Sequence, residues 1–162
     1  MSTNNSVGAL QLTIGSTLFN ATPLDNPTVS AFISLLPLDL QMADLNENEK
    51  HADVPTTLPT AATAPGPIRR GDIMLYGSRT IVLWYEDLDS TTYTYTRIGT
   101  IDNLDGFLEA VGEGDVNVRI TTEGSPEVGP PPVENDGARL QAYLSYASLW
   151  IGLLCLVYVL QW

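Results

Sequence analysis

Over most of the first 120 positions, apolar and polar residues alternate with a period of two, the spacing of strands that bury one face. Leu10, Leu12 and Ile14 alternate with Gln11 and Thr13, Gly15-Ser16 makes a turn, and Leu18 to Thr22 runs back, which predicts a hairpin. The period then becomes helical. Asn26 is suited to an N-cap and Pro27 to a first helical position. Val29, Phe32, Ile33 and Leu36 share one face, and Pro37 stops the helix. Leu38, Leu40 and Met42 return to alternation. An irregular stretch from Asn46 to Pro67 contains four prolines, and its length predicts a functional or capping loop.

The most apolar hairpin follows, Asp72 to Tyr76 and Arg79 to Glu86 around Gly77-Ser78. In the next strand Tyr93, Tyr95 and Arg97 share one face, with Thr94 and Thr96 on the other. Asp105 to Val111 predicts a short second helix, and Val116, Val118 and Ile120 a last strand. Antiparallel strands with two short helices predict a mainly β fold, a small closed or nearly closed barrel over residues 10–120 behind a polar tail at 1–9.

The pattern ends at residue 121. Residues 121–139 are rich in Pro, Gly and acid and predict an extended, solvated linker. From Leu140 to Trp162, 18 of 23 residues are apolar and none is charged. As a helix this segment is roughly 35 Å long, enough to cross a hydrocarbon core of about 30 Å, so a single C-terminal transmembrane helix is expected. Tyr143, Tyr146 and Trp162 stand where aromatic side chains anchor to the two interfaces. Ser145, Ser148 and Gly152 form a small-residue face suited to packing on another membrane helix, a partner subunit or a second copy of the chain. The competing readings are a buried core helix and a lipid-anchor attachment signal. With no signal peptide in view and Arg139 beside the span, the expected location is a membrane, with the soluble domain on the cytoplasmic, matrix or stromal side.

Charge narrows the function. The net charge is −12, with all seven basic and all nineteen acidic residues at or before Arg139. A chain with one lysine and six arginines is a poor partner for nucleic acid, which is bound through released counterions. One cysteine, Cys155, and one histidine, His51, can build neither a disulfide framework nor a Cys/His zinc site, so no metal or cofactor is expected.

Four blocks of the chain carry a family resemblance. They are LTIGSTLFNATPLDNPTVSAFISLLPLDLQM, NENEKHADVPTTLPT, PGPIRRGDIMLYGSRTIVLWYED and YTYTRIGTIDN. In this order they resemble the small cyclophilin-like barrel proteins best known from bacteria and archaea, over about residues 10–120. The resemblance implies an eight-stranded cyclophilin-like barrel with two helices. Cyclophilins that isomerise X-Pro bonds do so with an arginine beside an apolar proline pocket, and neither of their signature blocks is present here. Arg79 and Arg97 are the barrel arginines available by position, and no catalytic residue is carried over.

The densest chemistry is the aromatic set Tyr76, Trp84, Tyr93 and Tyr95 with Arg97, suited either to packing or to lining a site for a peptide or planar ligand. Trp84 and Tyr85 must face opposite sides. Glu49 and His51, with Lys50 and Asp53, open the long loop, either as a solvated charged run or as a lid over a barrel mouth. The expectation is a membrane-anchored cyclophilin-like binding module, non-catalytic, an accessory or assembly subunit of a membrane complex. The alternatives are a membrane-tethered prolyl isomerase with a non-standard site and a small-molecule-binding barrel.

Overall fold

The structure, a computed structural model, describes residues 8–124. They form eight strands: β1 (Leu10–Ile14), β2 (Thr17–Pro23), β3 (Leu38–Leu45), β4 (Glu49–Asp53), β5 (Asp72–Tyr76), β6 (Thr80–Trp84), β7 (Tyr95–Ile101) and β8 (Val116–Thr122). Two short helices, α1 (Pro27–Ile33) and α2 (Phe107–Val111), lie between strands. The strands close into a barrel in the order β1-β2-β7-β5-β6-β4-β3-β8, with β8 pairing back to β1.

Alternation decides what is inside. Leu10, Leu12 and Ile14 of β1, Ile73 and Leu75 of β5, Ile81 and Leu83 of β6, and Val118 and Ile120 of β8 belong to one buried cluster. Val29 and Phe32 of α1 and Phe107 and Val111 of α2 complete it, and Phe107 meets Phe19 edge to face at 5.5 Å. Burying each large apolar side chain stabilises the fold by about 1.5–3 kcal/mol. The start of α1 is as its sequence suggests: the Asn26 side chain accepts from the Val29 N–H at 2.9 Å, and Pro27 takes the first turn. A close approach shapes the β2–β7 seam, where only three residue pairs are in register. Gly99 lies against β2 there, and a Cβ at that position would stand 2.5 Å from the Thr22 carbonyl oxygen.

The structure differs from the sequence pattern most at β4. The pattern predicts a loop from Asn46; instead Glu49–Asp53 is a strand between β3 and β6. It follows a three-residue turn in which Asn46 and Glu47 both have positive φ. Its inward residue at the centre of the pairing is Lys50, fully buried, so the strand carries no apolar alternation to reveal it. The rest of the irregular stretch is a cap. Val54 and Leu58 join the core, the Thr28 hydroxyl donates to the Pro59 carbonyl, and the Ala61 N–H donates to the Thr96 hydroxyl.

Other boundaries move by a residue or two. Tyr93 precedes β7 rather than belonging to it, α2 begins at Phe107, and β8 takes in the first two residues of the expected linker. Among the described residues no helix is long and apolar enough to cross a membrane. The expected span at 140–162, with Tyr143, Ser145, Tyr146, Ser148, Gly152 and Trp162, lies outside the described residues, as does most of the linker.

Candidate binding cavity on the outer face

Four adjacent strands, β7, β5, β6 and β4, build an outer surface row by row. Glu49 stands opposite Trp84; His51 opposite Val82, which faces Met74; Asp53 opposite Thr80, which faces Tyr76, which faces Tyr95. These are the side chains that alternation turns away from the core. A second apolar cluster therefore forms outside the barrel: Met74, Val82, Trp84 and Tyr95, joined by Ile68 and Leu88. Ile68 and Leu88 come from the segments flanking β5 and β6, which pair through a short bridge.

A cavity of about 530 Å³ opens on this surface. Its walls are Glu49, His51 and Asp53 from β4, Tyr76, Val82 and Trp84 from the β5–β6 hairpin, the turn from Leu45 to Asn48, and Leu88 to Tyr95 on the remaining side. The volume is that of a small-molecule or side-chain site. The rings touch in sequence. Trp84 and Tyr95 meet edge to face at 5.9 Å, Tyr95 and Tyr76 are tilted at 5.6 Å, and Tyr76 and Tyr93 meet edge to face at 5.9 Å. Trp84 and Tyr95 are buried, while Tyr76 and Tyr93 are exposed at the rim.

Three buried polar atoms of residues in these walls have no hydrogen-bond partner among the described residues: Glu49 Oε2, Asn48 Oδ1 and Trp84 Nε1. Buried polar groups in folded proteins are nearly always paired, because an unmade hydrogen bond costs about 1–3 kcal/mol. Glu49 is only 6% exposed, and burial pushes its carboxyl from the ordinary 4.5 up to about 7. The Tyr95 hydroxyl is pushed up to about 12, first by burial and then by the nearby Glu49 charge. Tyr95 is thus a neutral phenol at physiological pH.

The structure brings together Tyr76, Trp84, Tyr93, Tyr95, Glu49 and His51, six of the seven barrel residues singled out in the sequence. Arg97 stands apart. Its guanidinium donates to Asp72 at 2.9 Å and to the carbonyls of Pro65 and Pro67, tying β7 to the capping segment. Arg79 is likewise fixed, donating twice to the Val54 carbonyl. Asn48 was not visible as a site residue, because its place follows from the β3–β4 turn that the sequence pattern did not reveal. Among the described residues no group of three His, Cys, Asp or Glu side chains is placed to hold a metal ion.

One family model, described as the cyclophilin-like family, matches residues 12–122, and the closed eight-stranded barrel with two helices fits it. The chain belongs to the cyclophilin-like family. No curated protein and no solved structure matches it. The match covers all of the barrel but the first two residues of β1, includes the four strands that carry the cavity, and leaves residues 1–11 and 123–162 outside. As a cyclophilin-like domain the barrel is in general terms a binding module.

Proposed function

We propose that this cyclophilin-like domain is a non-catalytic binding module whose working surface is the outer cavity, held beside a bilayer by a linker that follows β8, up to residue 139, and a transmembrane helix at 140–162. The observation that carries the reading is the aromatic-lined cavity of about 530 Å³, whose wall residues Glu49, Asn48 and Trp84 each keep a buried polar atom without a partner among the described residues. These two acceptors and one donor are themselves covered, and they meet an occupant that brings the opposite groups once the wall side chains turn towards it. The apolar rings around them supply contact area.

The isomerase alternative is disfavoured by where the arginines are. Stabilising a twisting amide requires a donor aimed into the pocket. Arg97 and Arg79 are both engaged by carbonyl groups of the capping segment, and neither lines the cavity. The uncharged sequence from Leu140 to Trp162 supports the anchor. A small-residue face at Ser145, Ser148 and Gly152 suits a partner helix, which makes the role of accessory or assembly subunit the natural one.

Two experiments test this. A photo-crosslinking residue in place of the exposed Tyr93 should capture the occupant in intact membranes, whereas the same residue in place of Leu18, outside the cavity, should not. The full chain should resist extraction by alkaline carbonate, and a chain ending at residue 139 should not. Equal labelling at the two positions would remove the cavity from the account, and release of the full chain by carbonate would remove the anchor.

A further inference from the structure

We propose that the cavity takes an organic cation, an alkylammonium or guanidinium head group, seated against Tyr76, Tyr93, Tyr95 and Trp84 with Glu49 as its counter-charge. The inference rests on the reading of the outer cavity as the binding surface and adds the chemistry of the occupant.

Three observations carry it. First, four aromatic side chains with centroids 5.6–5.9 Å apart in succession line one opening. The negative faces of such rings attract a cation, and more strongly where water is displaced. Second, Glu49 is buried in the same wall with Oε2 unpartnered. A buried carboxylate is costly unless it meets a positive charge. Third, among the described residues every lysine and arginine is engaged elsewhere, and His51 in the same wall makes no ion pair with it. Lys50 is paired with Asp44, Arg69 with Asp87 and Asp89, Arg70 with Glu86, Arg97 with Asp72 and Arg119 with Asp39. Arg79 is held by the Val54 carbonyl.

The titratable groups around Glu49 are His51 and Asp53 on its own strand, Tyr76 from β5, Tyr95 from β7 and Tyr93 just before β7; β6 contributes Trp84. Asp53 adds a second acidic group to the wall. A metal ion is a poor occupant, since a hard cation needs several oxygen ligands grouped together and among the described residues no three His, Cys, Asp or Glu side chains are placed to hold one. The head group could belong to a free small amine or to a basic side chain on a partner. The chemistry is the same, and the probes separate the two.

The test is calorimetric titration of the full chain in a maltoside detergent. The probes are choline, tetramethylammonium, the acetylated amides of trimethyllysine and arginine, and 3,3-dimethylbutan-1-ol, the uncharged isostere of choline. A cationic probe should bind, with the uncharged isostere weaker by about tenfold or more. Because a cation favours the ionised carboxyl and burial holds Glu49 near 7, affinity should rise about tenfold from pH 6 to pH 8. Glu49→Gln should flatten that dependence and reduce the preference for charge to what the rings and Asp53 supply. Tyr93→Ala, at an exposed rim position, should weaken cation binding while leaving the thermal transition in place. Tighter binding of the free amines identifies a small molecule as occupant, and tighter binding of the amides a basic side chain.

An uncharged isostere that binds as tightly as choline would overturn the inference while leaving the cavity a binding site. Failure of every cationic probe would also overturn it; an occupant still captured at position 93 would then keep the broader reading alive.

Discussion

Glu49 and Lys50 are neighbours on β4 and both are buried, yet among the described residues Lys50 has a counter-charge and Glu49 has none. The alternation of the strand sends them to opposite sides. Inside the barrel the Lys50 ammonium donates to Asp44 and to the carbonyls of Gly112 and Gly114, and lies 4.9 Å from the centre of the Tyr85 ring. Outside, the Glu49 carboxyl faces a cavity. The same strand thus holds one satisfied buried charge and one unsatisfied.

Lys50→Met should destabilise the fold by about 3 kcal/mol, because it leaves Asp44 and two glycine carbonyls without their donor. Asp44 is held below its ordinary 3.8, first by its hydrogen bond with Lys50 and then by the Tyr85 hydroxyl. The stability it contributes is present above that ordinary value and is lost as pH falls through the depressed one. Urea unfolding at pH 7 and in acid should therefore show both a lower midpoint for the variant at neutrality and a shallower acid dependence.

Glu49→Gln has the opposite sign. Between 4.5 and about 7 the folded chain keeps a proton that the unfolded chain has released, so wild-type stability falls as pH rises through that window and levels off above it. The variant lacks this penalty. At pH 8 it should be more stable than wild type by about 1–2 kcal/mol, less than the full shift implies because the cavity is open to water. Below pH 4.5 the two should coincide. Thermal melts across pH 4 to 9 check this, and parallel curves would show that Glu49 is not the buried acid described.

Arg97→Ala should act on the capping segment and not on X-Pro chemistry. The Thr63 N–H donates to the Tyr95 carbonyl beside the Arg97 contacts with Pro65 and Pro67. Hydrogen exchange at Thr63 should accelerate in the variant, with exchange in β1 and β8 unchanged. Any X-Pro isomerisation by the wild-type chain that disappears in this variant would restore the isomerase alternative.

Gly99→Ala should cost about 2–3 kcal/mol, since the added methyl has backbone, not a movable side chain, in its way at Thr22 and Pro23. Gly8→Ala, where nothing lies within 4 Å, is the control and should be silent. The comparison is read from chemical denaturation midpoints.

The hairpins of this fold are legible in the sequence because each carries apolar residues at alternate positions and a short polar turn. The Leu10 and Ile73 strands are examples. Strand β4 is not, because Glu49, Lys50, His51 and Asp53 leave Ala52 as its only apolar residue. The fold tolerates such a strand because Lys50 finds three oxygen partners inside, two of them carbonyls of the loop between α2 and β8, far away in the chain. The cavity was half legible for the same reason. Its aromatic residues stand out, but a turn and a polar strand place the groups around them. The role of Arg97 could not be read because two of its three partners are backbone carbonyls, which no side-chain pattern encodes.

Closure of the strands into a ring has a further consequence for recognition. Each of the eight strands already pairs on both sides, from β1 through to β8 and back. A peptide strand therefore finds no whole strand edge on which to add itself, and main-chain pairing with a visitor is confined to short stretches such as Leu38–Met42, which pair with β8 but not with β4. What this domain distinguishes at the outer cavity it distinguishes chiefly through side chains, by ring faces, charge and the shape of the opening.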